Sequence, residues 1–154
     1  MTSGITLTSR KAARGQLKSV LKTGIETIFN IDDFVMPAYE SEPKDFGGMS
    51  PVVTVHGNGS MSQFADYARE LHRFFVTTYW KRDDPDTTED GIDDLSLAIR
   101  QTLIDNTESQ GYWVDLIFDE EFSEMTYVII DGVQYRSERM GVTVFSICDN
   151  GGLP

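Results

Sequence analysis

The chain has 154 residues, of which 40% are apolar and 25% are charged. Its nine Phe, six Tyr and two Trp exceed what a disordered chain contains, so we expect one packed domain over residues 1–154 with a flexible polar tail at about 149–154. No apolar run approaches the ~18 residues of a membrane helix. Residues 1–10 lack the basic and apolar regions of a secretory signal, so we expect a cytoplasmic chain. A single cysteine, Cys148, excludes an internal disulfide and argues against a thiolate metal site.

Charge is distributed unevenly along the chain. The net charge is −12, yet residues 10–22 contain five basic residues and no acidic one, which leaves −17 on the rest. An acidic body repels a polyphosphate, so sequence-specific DNA binding is disfavoured. A basic helix on an acidic domain is typical of contact with acidic protein surfaces, including further copies of the same chain. A solvated charged face is the alternative.

The first periodic segment predicts an amphipathic helix over residues 9–29, capped by Thr8 or Ser9. Its apolar positions recur at steps of three and four residues: Ala13, Leu17, Val20, Leu21, Gly24 and Ile28. A basic stripe lies about a quarter turn away from that face. It consists of Lys11, Arg14, Lys18 and Lys22. Such a helix can bury one side in its own domain and offer the adjoining side to a partner.

The central segments are predicted from composition. We expect a short strand at 30–35, a long loop at 36–50, and a β-branched strand at 51–56 that the glycines of 57–59 end. Residues 60–71 fit a helix or a strand equally. The aromatic segment 71–80 predicts a strand, with its rings in the core rather than stacked on bases.

An acidic connection at 81–94 leads into a second helix, predicted over 88–107, with carboxylates in its first turns where they favour the helix dipole. The last third reads as strands, with Asp131-Gly132 as a type I′ hairpin turn before a strand at 133–148. The predicted fold class is therefore α+β, in the order α-β-β-β-α-β-β-β. A mainly antiparallel sheet of about five to six strands carries two helices on one face.

Residue patterns of catalysis are sparse. His56 and His72 lie in or beside predicted strands without ligand-spaced neighbours, which favours structural roles. The chain contains no Gly-x-Ser-x-Gly elbow and no Gly-rich phosphate loop followed by Lys-Ser/Thr. A cluster at Glu120, Glu121 and Glu124 falls in a predicted exposed turn, where nothing raises a carboxyl pKa for acid catalysis. We expect no enzyme, no catalytic residue and no cofactor.

The segment that begins at Asp86 starts like a calcium loop. Asp86, Thr88, Asp90 and Gly91 occupy positions one, three, five and six of the pattern. The twelfth position is Leu97, where a bidentate Glu is required. We therefore expect no metal site, and a solvated acidic segment that caps a helix.

Residues 127–138, YVIIDGVQYRSE, resemble the terminal hairpin of tail terminator proteins from long-tailed bacteriophages. Those proteins often carry an Ile-Asp-Gly-hydrophobic-x-Tyr pattern there, matched here by Asp131, Gly132 and Tyr135 as structural hairpin residues. The order of elements is also similar, and Val52-Val53-Thr54-Val55 after Pro51 is similar to the family's first firm strand. The resemblance spans most of the chain. Two departures are the length of the 36–50 loop and the charge of the link after Trp80.

The resemblance implies a structural virion protein, present in the host cytoplasm during assembly. Such proteins form a ring, usually a hexamer, on the head-proximal end of the tail tube. The ring stops tube polymerisation and joins the tail to the neck or connector. The implied partners are the chain itself, the tail tube protein and the neck protein, with DNA only as cargo through the lumen and no membrane. Another head–tail joining protein, or a small cytosolic enzyme, are the alternatives.

A ring contact is head-to-tail, so each protomer needs two different, complementary surfaces. From the charges we predict that the basic stripe meets an acidic segment of the next protomer. That acidic segment consists of Asp83, Asp84 and Asp86.

Overall fold

The computed structural model describes residues 8–29, 38–39, 47, 50–64, 68–82, 85–119 and 122–147. These residues follow the predicted order α-β-β-β-α-β-β-β and confirm the α+β class. The elements are α1 (Arg10–Phe29), β1 (Ala38–Tyr39), β2 (Val52–Phe64), β3 (Ala68–Lys81), α2 (Pro85–Asp105), β4 (Asp115–Phe118), β5 (Glu124–Ile130) and β6 (Val133–Ile147).

The strands form one sheet in the order β1-β2-β3-β6-β4, and β5 also pairs with β6. The long strand β6 therefore has β3 on one side, and on the other side β5 along 133–139 and β4 along 142–145. Every pairing is antiparallel except that of β1 with β2, which is parallel. β1 lies inside the segment predicted as a loop at 36–50, and the strand predicted at 30–35 lies outside the described residues.

Both helices pack on one face of the sheet, here called the helix-side face. Their apolar stripes join the strand residues of that face in one buried core: Ala13, Leu17, Leu21, Ile25, Leu95, Ala98, Ile99 and Leu103 from the helices, and Val53, Val55, Phe74, Val76, Leu116, Met140, Val142 and Val144 from the strands. Ser9 caps α1, because its Oγ accepts a 3.0 Å hydrogen bond from the amide of Ala12. The helices approach closely at Gly24, where a Cβ would overlap the side chain of Thr102.

The prediction that residues 57–59 end a strand is wrong. β2 continues to Phe64, and its register with β3 shifts between Gly57 and Gly59. Gly59 adopts a φ of 123°, which a residue with a Cβ rarely takes, so the glycines form a bulge rather than a turn. Residues 60–64 and 68–71, which the sequence left open, are strand.

α2 begins at Pro85, three residues before its predicted start. Proline suits the first helical turn because its missing N–H has no intrahelical partner there. Thr88 is buried, and its hydroxyl donates a 3.5 Å hydrogen bond to the Lys81 carbonyl. The segment that resembles the start of a calcium loop is thus helical.

The predicted hairpin joins β5 to β6. Asp131 and Gly132 have φ values of 49° and 77°, as both central residues of a type I′ turn require. On the sheet face opposite the helices, Tyr135 packs in a second buried cluster with Val52 and Tyr79.

Candidate protein-interaction surfaces

The basic stripe lies on the flank of α1 that faces away from α2. Gln16 marks the other flank, since its side-chain amide donates a 3.1 Å hydrogen bond to Ser109 in the segment after α2. Lys18 follows two residues later, which is ~200° around the helix axis. Lys11 and Lys22 are exposed, and Arg14 and Lys18 are half-buried.

The three lysines of the stripe form no ion pair within the part of the chain that the structure describes. Arg14 differs, because it interacts with other groups of the chain. Arg10, at the start of the same helix, donates a 3.2 Å hydrogen bond to Ser60 of β2 and so helps to fix α1 on the sheet.

The acidic segment is described only in part. Asp83 and Asp84 lie outside the described residues, and Asp86 is exposed in the first turn of α2. Helical spacing places the exposed Asp90 and Asp93 on the same face. The sequence prediction did not include those two in the acidic segment. The acidic surface of α2 is therefore longer than the predicted segment, and no ion pair joins it to the three lysines of the basic stripe within the described residues.

Polar contacts connect α2 to β5 through Arg136 of β6. The Nε of Arg136 on β6 lies 2.7 Å from a carboxylate oxygen of Glu89 on α2. The guanidinium groups of Arg136 and Arg82 lie over the ring of Tyr127 on β5, at 4.7 and 5.1 Å from its centroid. Cation–π contacts of this kind hold a ring in place while leaving one of its edges in water.

A second polar contact lies at the start of β5. Glu138 of β6 is 4% exposed and accepts a 2.6 Å hydrogen bond from the Ser123 hydroxyl. Arg100 of α2 lies 3.5 Å from the same carboxylate oxygen. A buried carboxylate needs such partners, so this contact fixes the residues that lead into β5.

On the opposite face of the sheet, Asp119 lies across β6. Its carboxylate accepts hydrogen bonds from Arg73 at 3.1 Å and from Thr143 at 3.4 Å. A Cβ at Gly141 would overlap that carboxylate, so a larger residue there would displace the Asp119 side chain.

The two histidines have structural surroundings. The Nε2 of His72 donates to the Thr8 carbonyl at 2.7 Å, and its Nδ1 accepts from the Ser60 hydroxyl at 2.7 Å. His72 thus ties the start of α1 to β2 and β3. The ring of His56 tilts against Phe75 at a centroid distance of 5.5 Å.

Metal-ligating side chains do not gather in groups of three or more anywhere among the described residues. None of the described helical segments is both long and apolar enough to cross a membrane. Glu124, the one described member of the predicted Glu120–Glu121–Glu124 cluster, is exposed at the start of β5.

No protein-family model and no curated protein matches this chain. Among solved structures, it is similar to a chain described as "Virion of native gene transfer agent (GTA) particle", with a TM-score of 0.46 and 14% identity. The likeness covers 86% of this chain and 98% of the other.

Proposed function

We propose that this chain is a structural virion protein that forms a ring on the head-proximal end of a phage tail tube. In this proposal the ring stops tube polymerisation and joins the tail to the neck or connector, without catalysis and without a cofactor. The observation that carries the proposal is the hairpin sequence of residues 127–138 inside the order α-β-β-β-α-β-β-β. Its partners are further copies of the chain, the tail tube protein and the neck protein.

The charges of the two helices support a head-to-tail contact. The basic stripe of α1 points away from α2, and Asp86, Asp90 and Asp93 of α2 are exposed. Opposite charge on two separate surfaces favours a different surface of a second copy over the same surface, as closure of a ring requires. The same charges give the contact a salt dependence, because exposed pairs are screened within ~10 Å at 0.1 M salt.

The net charge of −12 is compatible with DNA as cargo. A ring through which a genome passes must not retain it, and an acidic surface repels phosphates. In the proposed ring the basic stripe lies at a protein contact rather than in the lumen.

The decisive experiment mixes the purified chain with growing tail tubes that lack a terminator. We expect negative-stain images with one ring at one end of each tube, and tubes that stop lengthening. If the chain instead binds only head or neck particles, the alternative of another head–tail joining protein is favoured. Binding to neither would contradict both.

The charge contact has a test of its own. We expect Lys11→Glu with Lys18→Glu to weaken ring assembly, and the loss to be greatest at low salt. Reversal at Arg14 acts in the same direction but also disturbs the contacts of Arg14 within the chain. Changing Asp83, Asp84 and Asp86 to Lys in the double mutant should restore assembly if the two surfaces meet. Rings of unchanged salt resistance in the double mutant would show that this pairing is wrong.

A further inference from the structure

β5 carries an exposed apolar row on the helix-side face, here called the β5 row. Its members are Met125, Tyr127 and Ile129, with exposed fractions of 38%, 48% and 72%. They pair with Glu138, Arg136 and Gln134 of β6, and so lie on the same face as the buried core residues Met140 and Val142. Phe122, just before β5, is fully exposed. Four large apolar side chains are therefore concentrated at one edge of the sheet.

The backbone N–H and C=O groups of the same residues point away from β6. A two-residue turn makes Ile130 and Val133 a hydrogen-bonded pair, and such pairs alternate along an antiparallel ladder. The N–H and C=O groups of Ile129, Tyr127 and Met125 consequently face outward. No strand among the described residues pairs with that side of β5.

Edge strands of natural proteins usually carry features that prevent pairing with another chain. β5 reads Glu-Met-Thr-Tyr-Val-Ile-Ile, with no proline and a single charged residue, and its register with β6 is continuous over seven pairs. Its other row packs in the second buried cluster through Val128 and Ile130. β5 is thus a fixed, regular strand with one side ready to accept another.

We propose that β5 pairs with the outer edge of β2 in a second copy of this chain. Among the described residues, β1 pairs with β2 only at Val53 and Thr54, and residues 57–62 of β2 are exposed. β2, β3, β6 and β5 alternate in direction along the sheet. In copies related by rotation about an axis along the strands, β5 of one copy therefore lies antiparallel to β2 of the next.

Charge also favours this partner over a second β5. α1, with its basic stripe, packs over β2, and Arg10 reaches Ser60 on that strand. The edge at β5 carries the acidic residues Glu124 and Asp131. Pairing of β5 with β2 brings opposite charges together, whereas pairing of β5 with β5 brings like charges together.

The pairing rests on the proposed ring, for which it supplies the contact between neighbours. Both contacts are head-to-tail, so one arrangement uses the β5 row and the basic stripe together. Each exposed end of the sheet is occupied in the closed ring, and no edge remains for uncontrolled growth.

The test is disulfide cross-linking in a Cys148→Ser background. Ile129→Cys is combined in turn with Asn58→Cys, Ser60→Cys and Ser62→Cys, and mild oxidation is followed by denaturing gels. We expect at least one combination to give a ladder of dimers, trimers and higher species, whereas each single variant stays monomeric. Dimers from Ile129→Cys alone would mean that β5 pairs with itself, and would overturn the proposal.

A second variant tests the same edge without cross-linking. Ile129→Lys places a charge on the β5 row, and we expect it to reduce self-association at least tenfold by analytical ultracentrifugation or on tube ends. Ile104→Lys is the matched control, because Ile104 is 55% exposed near the end of α2, ~16 Å along the helix axis from Asp93 of the acidic surface, and is not part of a strand. Equal behaviour of the two variants would contradict the pairing.

The outcomes separate the two proposals. If the chain caps tubes with rings but no cysteine pair cross-links, the strand pairing is wrong and the proposed function stands. If cross-linked ladders form in solution but tubes are not capped, the pairing is correct and the function is wrong. A chain that associates neither alone nor on tubes contradicts both.

Discussion

Two rows of residues on one face of the sheet differ in their exposure to solvent. Met140, Val142 and Val144 of β6 lie beneath the helices and are at most 4% exposed. Ile129 and its companions in the β5 row lie on the same face one strand away, and Ile129 is 72% exposed. Both rows are apolar and lie on the same face, so neither apolarity nor the face determines burial here.

The difference arises from where the helix layer ends. α2 packs over β3 and β6, and its side toward β5 carries Glu89 and Arg100, which pair with Arg136 and Glu138. Charged groups need polar partners rather than apolar cover, so the apolar core stops at this line of ion pairs. The covered row stabilises the single chain, and the uncovered row is available for a contact between chains.

The largest expected effect comes from the covered region. Leu21→Ala should lower the free energy of unfolding by about 2–5 kcal/mol, because Leu21 is fully buried between α1 and the sheet and its loss leaves a cavity. Leu97→Ala, at a position 67% exposed on α2, should change it by less than about 0.5 kcal/mol. Urea unfolding of both variants measures the contrast. Similar losses would mean that the exposed side of α2 is covered even in the isolated chain.

The next effect concerns the crossing of the two helices. Gly24→Ala should destabilise the chain by about 1–3 kcal/mol, since the added methyl overlaps Thr102. Alanine's better helix propensity, worth up to ~1 kcal/mol, offsets only part of this cost. In the double variant with Thr102→Ala the added penalty should disappear. Additive losses in that cycle would show that the helices separate instead of colliding at this point.

Much of the fold follows from local sequence signals. The 3- and 4-residue spacing of apolar positions in α1, its Ser9 cap and the Asp131-Gly132 turn each depend on neighbours in sequence. The bulge in β2 was misjudged because Gly57 and Gly59 fit a turn equally well until the pairing with β3 is known. α2 starts three residues earlier than predicted, at Pro85, a residue that a helix accommodates in its first turn.

The candidate surfaces were only half predictable. Charge spacing identified the basic stripe, since one face of a helix can be read from sequence alone. The β5 row could not be found that way, because residues 125–130 alternate between two apolar rows. Such a strand predicts that both faces are buried by other parts of the chain. Only the position of α2 shows which row is left exposed. The apolar character of residues 127–130 is visible in the sequence, but which of them are exposed depends on tertiary structure.

A smaller effect is expected where the two regions are joined. Ser123→Ala removes the hydrogen bond to the buried carboxylate of Glu138, and should cost about 1–2 kcal/mol. Ser19→Ala, on the exposed side of α1, should be neutral within about 0.5 kcal/mol. Hydrogen exchange should also quicken at the amides of β5 in Ser123→Ala only. Unchanged exchange in β5 would mean that its hairpin with β6 alone fixes the strand.

The smallest expected effect tests the comparison directly. Ile129→Thr keeps a β-branched side chain in β5 and should change the unfolding free energy by less than about 0.5 kcal/mol, provided the chain is dilute enough to be monomeric by light scattering. Val142→Thr makes the same kind of change under the helices, where a hydroxyl has no solvent, and should cost about 1–3 kcal/mol. At concentrations where copies associate, Ile129→Thr should become destabilising, since binding between folded chains stabilises them by mass action. A concentration dependence that both variants share would place the contact elsewhere, because only Ile129 lies on the exposed edge.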